Sequence, residues 1–224
     1  MKNFSAESLI KYRFLNFLLP IIGHVMSRGK RLLTFIDAHA GPGSFIDDEG
    51  FHSGSPMIFY NVASLLQIAT RLVLIEKDPR VFDQLFHLAM SLPHDSDNQI
   101  LPIPGDCDDH VGRVVAEAGK EPVFIISDPR GCEIPAFLAE VANRKNVTLL
   151  MRFSAVGAWR SKQGKAMLAK FKKVDKPHWR FGAEDPNGLH KYRMLLATHD
   201  RQVAEACEAC LEPISGPSDQ RIFA

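Results

Sequence analysis

The sequence predicts an α/β fold, a doubly wound and mostly parallel sheet with helices on both faces. Three observations carry that expectation. Short apolar runs at 32–36, 72–75, 100–103, 123–126 and 147–153 each read as a buried strand. Segments of helical pattern separate them at 79–92, 108–119 and 135–144, an alternation that implies right-handed parallel crossovers. Finally, an acid stands at or just after the end of four successive strands: Asp37, Glu76, Asp106 and Asp128. A parallel sheet places all four along one edge.

Each element has its own justification. Residues 5–28 read as an N-terminal helical extension, with Ser5 or Ser8 as N-cap and apolar positions at Leu9, Tyr12, Phe14, Leu15 and Leu18. Pro20 is expected to break or kink it. After strand 32–37, the stretch 41–54 reads as irregular and long for a strand-to-helix connection, so it is expected to border a ligand. Gly54-Ser55-Pro56 then starts a helix, with Ser55 as N-cap and Pro56 at its first position. Beyond the fifth strand, 159–173 reads as a basic helix and 174–190 as irregular, with Pro177, Gly182, Pro186 and Gly188. Residues 194–197 read as a late strand and 200–211 as a helix. The tail, 212–224, holds turn-formers and one edge strand.

A chain of 224 residues is most simply one domain with a sizeable core. With 46% apolar and 24% charged residues it has the composition of a soluble globular protein. No apolar run reaches the roughly 20 residues that span a bilayer. Glu7, Lys11 and Arg13 interrupt the N-terminal apolar residues, unlike a signal peptide, so a cytoplasmic location without membrane contact is expected. Cys107, Cys132, Cys207 and Cys210 are too scattered for a disulfide framework. Cys207 and Cys210 have C-x-x-C spacing, but no second pair sits at a zinc-site distance, and no metal is expected. Net charge is only +1, yet residues 141–180 hold eleven bases and a single acid, Asp175. Arg152, Arg160 and Lys162 lie in that block, which reads either as a phosphate-binding face or as a solvated lysine-rich helix.

The stretch around which the chemistry gathers is Phe35-Ile36-Asp37-Ala38-His39-Ala40-Gly41-Pro42-Gly43. A strand runs into an acid and then a tight glycine turn, where backbone N–H groups can approach a ligand without a Cβ in the way. It is neither a G-x-x-x-x-G-K-[ST] phosphate loop nor a dinucleotide G-x-G-x-x-G. Four like charges along one edge repel and need an offsetting ligand or hydrogen bonds. Glu76 suits ribose hydroxyls and Asp106 an exocyclic amine, while Asp37 and the glycine turn suit a polar end. That inventory fits adenine, ribose and a zwitterionic tail better than a diphosphate.

These residues resemble a known family. D-A-H-A-G-P-G, G-S-P, I-E-K-D-P, G-D-C and S-D-P-R-G are similar to the motif series of class I S-adenosylmethionine-dependent methyltransferases, and most of all to the three-Cys-motif partner family. The resemblance covers about 10–200, with a short segment between 160 and 190, and includes 192–198 as the late strand. It implies that Asp37, Ala38, His39, Gly41 and Gly43 hold the methionine part of S-adenosyl-L-methionine. It further implies that Glu76 with Lys77 binds the ribose, and Asp106 with Cys107 the adenine. Asp128, Pro129 and Arg130 would lie against the sulfonium methyl and the acceptor, with Ser55, Arg130, Arg152, Arg160 and Lys162 toward the substrate. Family members are thought to work beside a protein partner.

The last of these motifs bears on the reaction. In methyltransferases acting on exocyclic amines of bases, which this chain partly resembles, the comparable tetrapeptide is D/N-P-P-Y/F/W, and its aromatic residue stacks on the base. Here Arg130 and Gly131 replace the second proline and the aromatic. The guanidinium could stack instead or pair with a phosphate. Cys132 raises C5-pyrimidine chemistry, which needs a thiolate, but its place after D-P-R-G does not match the P-C arrangement of those enzymes. His39 reads as a proton acceptor or as a packed histidine. The leading expectation is a methyltransferase acting on DNA or RNA at a base nitrogen. The alternatives are a small-molecule or protein methyltransferase, and a cofactor-binding partner subunit without catalysis.

Overall fold

Five apolar runs become the parallel part of a seven-stranded sheet. The computed structural model of the protein describes residues 6–30, 32–47, 50–66, 69–93, 97–129, 135–141, 143–154, 176, 178–184 and 192–211. Its strands are β1 (Leu32–Asp37), β4 (Ala69–Glu76), β5 (Asn98–Pro104), β6 (Val123–Ser127), β7 (Val147–Ser154), β8 (His178–Glu184) and β9 (Tyr192–Thr198). Their spatial order is β5-β4-β1-β6-β7-β9-β8. All pairings from β5 to β7 are parallel, and β9 runs antiparallel to both β7 and β8. The order reverses at β1, which places the switch point between β1 and β6, where doubly wound sheets carry their ligands.

Alternation along each strand builds two apolar layers. Leu33 and Phe35, Leu72 and Leu74, and Phe124 and Ile126 face one side. There they meet α1 (Ala6–Ser27), α2 (Ser55–Leu66), α3 (Pro79–Ser91) and α6 (Arg201–Leu211), through residues such as Leu18, Phe59, Leu85 and Val203. Ile36, Val73, Ile125 and Leu149 face the other side, against α4 (Cys107–Ala118) and α5 (Phe137–Val141). Phe35 stacks on Phe59 at 5.1 Å, and Phe124 meets both rings edge-on. Burying each such side chain contributes roughly 1.5–3 kcal/mol.

Several expectations are corrected. Helix α1 runs unbroken through Pro20. The carbonyl that loses its partner there belongs to Asn16, which is exposed, so water can satisfy it. The stretch 41–54 is not irregular: β2 (Ser44–Asp47) and β3 (Gly50–Ser53) form an antiparallel hairpin within it. Within 174–190, residues 178–184 are not irregular but form β8, which pairs with β9 across a register shift between Phe181 and Glu184. Ser55 is not the cap of α2, since the Ile58 N–H bonds to the Gly54 carbonyl instead. Cys207 is fully buried in the core, as expected of a packing cysteine. Lys176 is buried and donates to the Arg144 carbonyl at 2.9 Å, so that part of the basic block serves the fold. The expected basic helix 159–173, the segment Arg130-Gly131-Cys132, Arg160, Lys162 and the tail strand fall outside the described residues.

Candidate active site

The four acids do stand together along the carboxyl edge of the sheet. Residues after β1 cross-link its neighbours through the backbone: Ala38 N–H bonds to the Ile126 carbonyl and Ala40 N–H to the Ile75 carbonyl, both at 2.9 Å. The glycine turn then folds over the strand ends. Gly41 and Gly43 both have positive φ, +63° and +81°, where a side chain would be strained. They face different ways. A Cβ on Gly43 would strike the Leu88 side chain, whereas one on Gly41 would meet no atom within 4 Å. The turn is thus packed on its inner side and open on its outer side.

Glu76 lies beside that open side. Its Oε2 accepts the Gly41 N–H at 3.0 Å and its Oε1 accepts the Asp78 N–H at 2.9 Å. Asp106 stands at the end of the next strand and caps α4 by accepting the Asp108 N–H at 3.2 Å. That backbone bond, more than the Lys77 ammonium 3.6 Å away, holds its carboxyl below the usual range. Both partners of the Lys77–Asp106 pair are well exposed, so the pair itself contributes little. Cys107 is buried beneath, with its Sγ 3.8 Å from His39 Nε2. Burial and the neighbouring acids push its thiol up to about 12. Asp106, Cys107 and Asp108 bring ligand-type atoms within 4.8 Å of one another. Both carboxylates already serve the start of helices, Asp106 accepting the Asp108 N–H and Asp108 the Phe137 N–H at 2.9 Å.

Asp37 is 1% exposed. Its Oδ1 accepts the His39 N–H at 3.1 Å, and its Oδ2 accepts the Ser55 hydroxyl. Burial outweighs these bonds and raises its carboxyl to about 6. Ser55, expected toward the substrate, is itself buried and serves to hold Asp37. Burial lowers the His39 imidazole below its usual range despite the nearby carboxylates, and its Nδ1 is buried without a hydrogen-bond partner among the described residues.

Asp128 follows β6 and is 15% exposed. Burial would raise its carboxyl, but Lys11 at 2.6 Å and Arg152 at 3.2 Å hold it below the usual range. Pro129 beside it is buried. Arg152, expected to meet the substrate directly, therefore reaches the site through Asp128. Lys11 is the residue that motif reading missed. Sequence distance hides it, 117 residues from its partner, although one signal was present. Lys11 sits four, seven and eleven residues before Leu15, Leu18 and Ile22, on the buried stripe of α1, where a lysine needs a partner.

The open turn, the orphaned His39 nitrogen and the carboxylates of Glu76 and Asp106 fit an adenosine-bearing cation with a zwitterionic tail. Comparison with known proteins agrees at the level of the fold. No family model matches the chain, and no curated protein matches its sequence. The fold is similar to protein LPL1258 from Legionella pneumophila, at TM-score 0.58 and 15% identity, over 90% of this chain and 94% of that one. It is similar to the METTL16 MTase domain at TM-score 0.54 and 12% identity, over 85% of this chain and 68% of that one. A Listeria monocytogenes protein described as a candidate class I S-adenosylmethionine-dependent methyltransferase matches at TM-score 0.54 and 11% identity, over 89% and 64%. The chain thus shares the Rossmann-like fold of class I S-adenosylmethionine-dependent methyltransferases, while membership of the three-Cys-motif partner family is not shown.

Proposed function

We propose that the protein is an S-adenosyl-L-methionine-dependent methyltransferase acting on a nucleic acid at a base nitrogen, of the three-Cys-motif partner type and working in the cytoplasm. The observation that carries this reading is the convergence of Asp37, Glu76, Asp106 and Asp128 on one sheet edge around an outward-open glycine turn. Asp37 would take the amino group of the methionine part, Glu76 the ribose hydroxyls, and Asp106 with Cys107 the adenine edge. Ala38, His39, Gly41 and Gly43 would line the same path, with Lys77 at its rim. Bound there, the cofactor supplies a methyl group already activated on a sulfonium.

The chain's own task is alignment for in-line transfer. Asp128, kept charged by Lys11 and Arg152, would accept a hydrogen bond from the acceptor amine and orient its lone pair. Pro129 and Arg130 would complete that side, and Arg160 and Lys162 would meet phosphates. Nucleic acid is favoured by the basic composition of 141–180 and by the partial D-P-P-Y likeness.

The test is calorimetry with S-adenosyl-L-methionine, followed by methyl transfer to pooled DNA and RNA. Asp37→Ala and Glu76→Ala should each weaken the cofactor at least tenfold, and Asp128→Ala should abolish transfer. Unchanged affinity in both of the first two variants would sink the reading. Cofactor binding without turnover on either nucleic acid would favour the partner-subunit alternative. Turnover on a small molecule or protein, with no steep salt slope on nucleic acid, would favour the other.

A further inference from the structure

Two cations grip Asp128, one on each oxygen. Lys11 Nζ of α1 lies 2.6 Å from Oδ2, and Arg152 Nη1 of β7 lies 3.2 Å from Oδ1. Among the described residues, two cations against one carboxylate leave a positive charge in surplus at this point of the edge. Lys11 is buried, so salt and water screen that surplus little. The other titratable groups that share this field do not cancel it. The Tyr12 phenol, next to Lys11 on α1, is pushed up by burial and stays uncharged. His39 is lowered by burial and carries no negative charge. Asp37 also faces the ammonium, but its charge is the one that the amino group of the methionine part would answer. A bound sulfonium would add a further positive charge.

Charge and geometry together decide what that carboxylate can hold. A carboxylate offers about four lone-pair positions, so with a cation on each oxygen an uncharged N–H still finds an acceptor there. An ammonium would find the negative charge already answered and would meet two cations instead. Nor could it give its proton to Asp128, because Lys11 and Arg152 hold that carboxyl below its usual range, far from the range of an alkylamine. We infer that Lys11 is a specificity-determining positioning residue: through Asp128 it restricts the methyl acceptor to an uncharged amino group, such as a nucleobase carries, and turns away an alkylammonium such as a lysine side chain. The inference rests on the methyl-transfer reading above and names its acceptor class. In the step, the acceptor nitrogen bonds the methyl carbon as the carbon–sulfur bond breaks and its electron pair returns to sulfur. The nitrogen, cationic for that moment, then releases a proton to water, and Asp128 stays ionised throughout.

The experiment joins carbon-13 NMR of the Asp128 carboxyl to methyl transfer by the full chain. Transfer is measured at saturating S-adenosyl-L-methionine, to pooled DNA and RNA and to polylysine. The carboxyl should titrate below the ordinary carboxylate range in wild type and at distinctly higher pH in Lys11→Met. Lys11→Arg, which keeps the charge, should restore the low midpoint, and Arg152→Gln should raise it by less than Lys11→Met does. The acid limb of the transfer rate should move with that midpoint, which a lysine that merely packs α1 would not cause. Wild type should methylate nucleic acid about a hundredfold faster than polylysine, and Lys11→Met should narrow that ratio by about tenfold. A midpoint shared by wild type and Lys11→Met overturns the inference. Melting confirms that each variant is folded, and where Lys11→Met is not, the wild-type ratio decides alone. Transfer to polylysine as fast as to nucleic acid overturns the acceptor class and leaves the methyl-transfer reading standing. Cofactor bound with transfer to neither acceptor overturns that reading itself.

Discussion

The ends of β1 and β6 lie side by side in the sheet, with Asp37 in register with Ile126 two residues before Asp128. Both aspartates are largely withdrawn from water, and the protein handles them in opposite ways. Asp37 has a hydroxyl and a backbone amide as direct partners, and burial still raises it to about 6. Asp128 has two direct cations, and they outweigh a burial that alone would raise it. Neutral donors moderate the cost of a buried carboxylate; paired charges reverse it. One acid therefore changes its charge near neutrality, while its neighbour stays ionised. That contrast suits a site in which one carboxylate greets a cationic tail and the other holds an acceptor amine.

Removing Lys11 should break the contrast most. Lys11→Met leaves Asp128 with Arg152 alone, and loss of one partner from a buried pair costs about 3 kcal/mol. Urea denaturation should show that loss, and the double variant with Asp128→Asn should recover most of it. Unchanged stability in Lys11→Met would mean that the ammonium contributes nothing net.

The pH dependence should divide the two acids next. The folded value of Asp37 lies above its ordinary value of 3.8, so the native state retains a proton between about pH 4 and pH 6. Stability from this group is present below that window and falls as pH rises through it, by on the order of 3 kcal/mol. Asp128 behaves oppositely. Its folded value is depressed, so its contribution is present above the ordinary carboxylate range and is lost as pH drops through the lowered value. Cofactor affinity measured between pH 5 and pH 8 should weaken below about pH 6 as Asp37 protonates. Asp37→Asn should flatten both profiles in that window, and an unaltered profile would contradict the assignment.

The smallest effect sharpens the comparison rather than breaking it. Ser55→Ala removes the hydroxyl that lowers Asp37, so the inflection should move to higher pH and stability should fall by about 1 kcal/mol. Carbon-13 NMR of the Asp37 carboxyl would read the shift directly.

Much of this edge was legible before any coordinates. Apolar runs at 32–36, 72–75 and 123–126 announce buried strands because a strand covered on both faces has no polar side to show. Pro79 opens helix α3 and Gly105 marks a turn for equally local reasons, as backbone torsions answer to the nearest residues. The hairpin at 44–53 was hidden, since its alternation is short and its partner lies within the same loop. Strand β8 was obscured by Gly182, whose break signal is overridden by pairing with β9.

What the sequence alone determined is the alternation of elements and, through it, which acids share an edge: 3.6-residue and two-residue periods are properties of the chain itself. What only the tertiary structure decided is who faces whom. Lys11 meets Asp128 across 117 positions, Ser55 turns from a helix cap into a partner of Asp37, and Tyr12 meets Phe45. Those pairings follow from α1 packing across the sheet, and local periodicity carries no information about the distance at which two buried charges find each other.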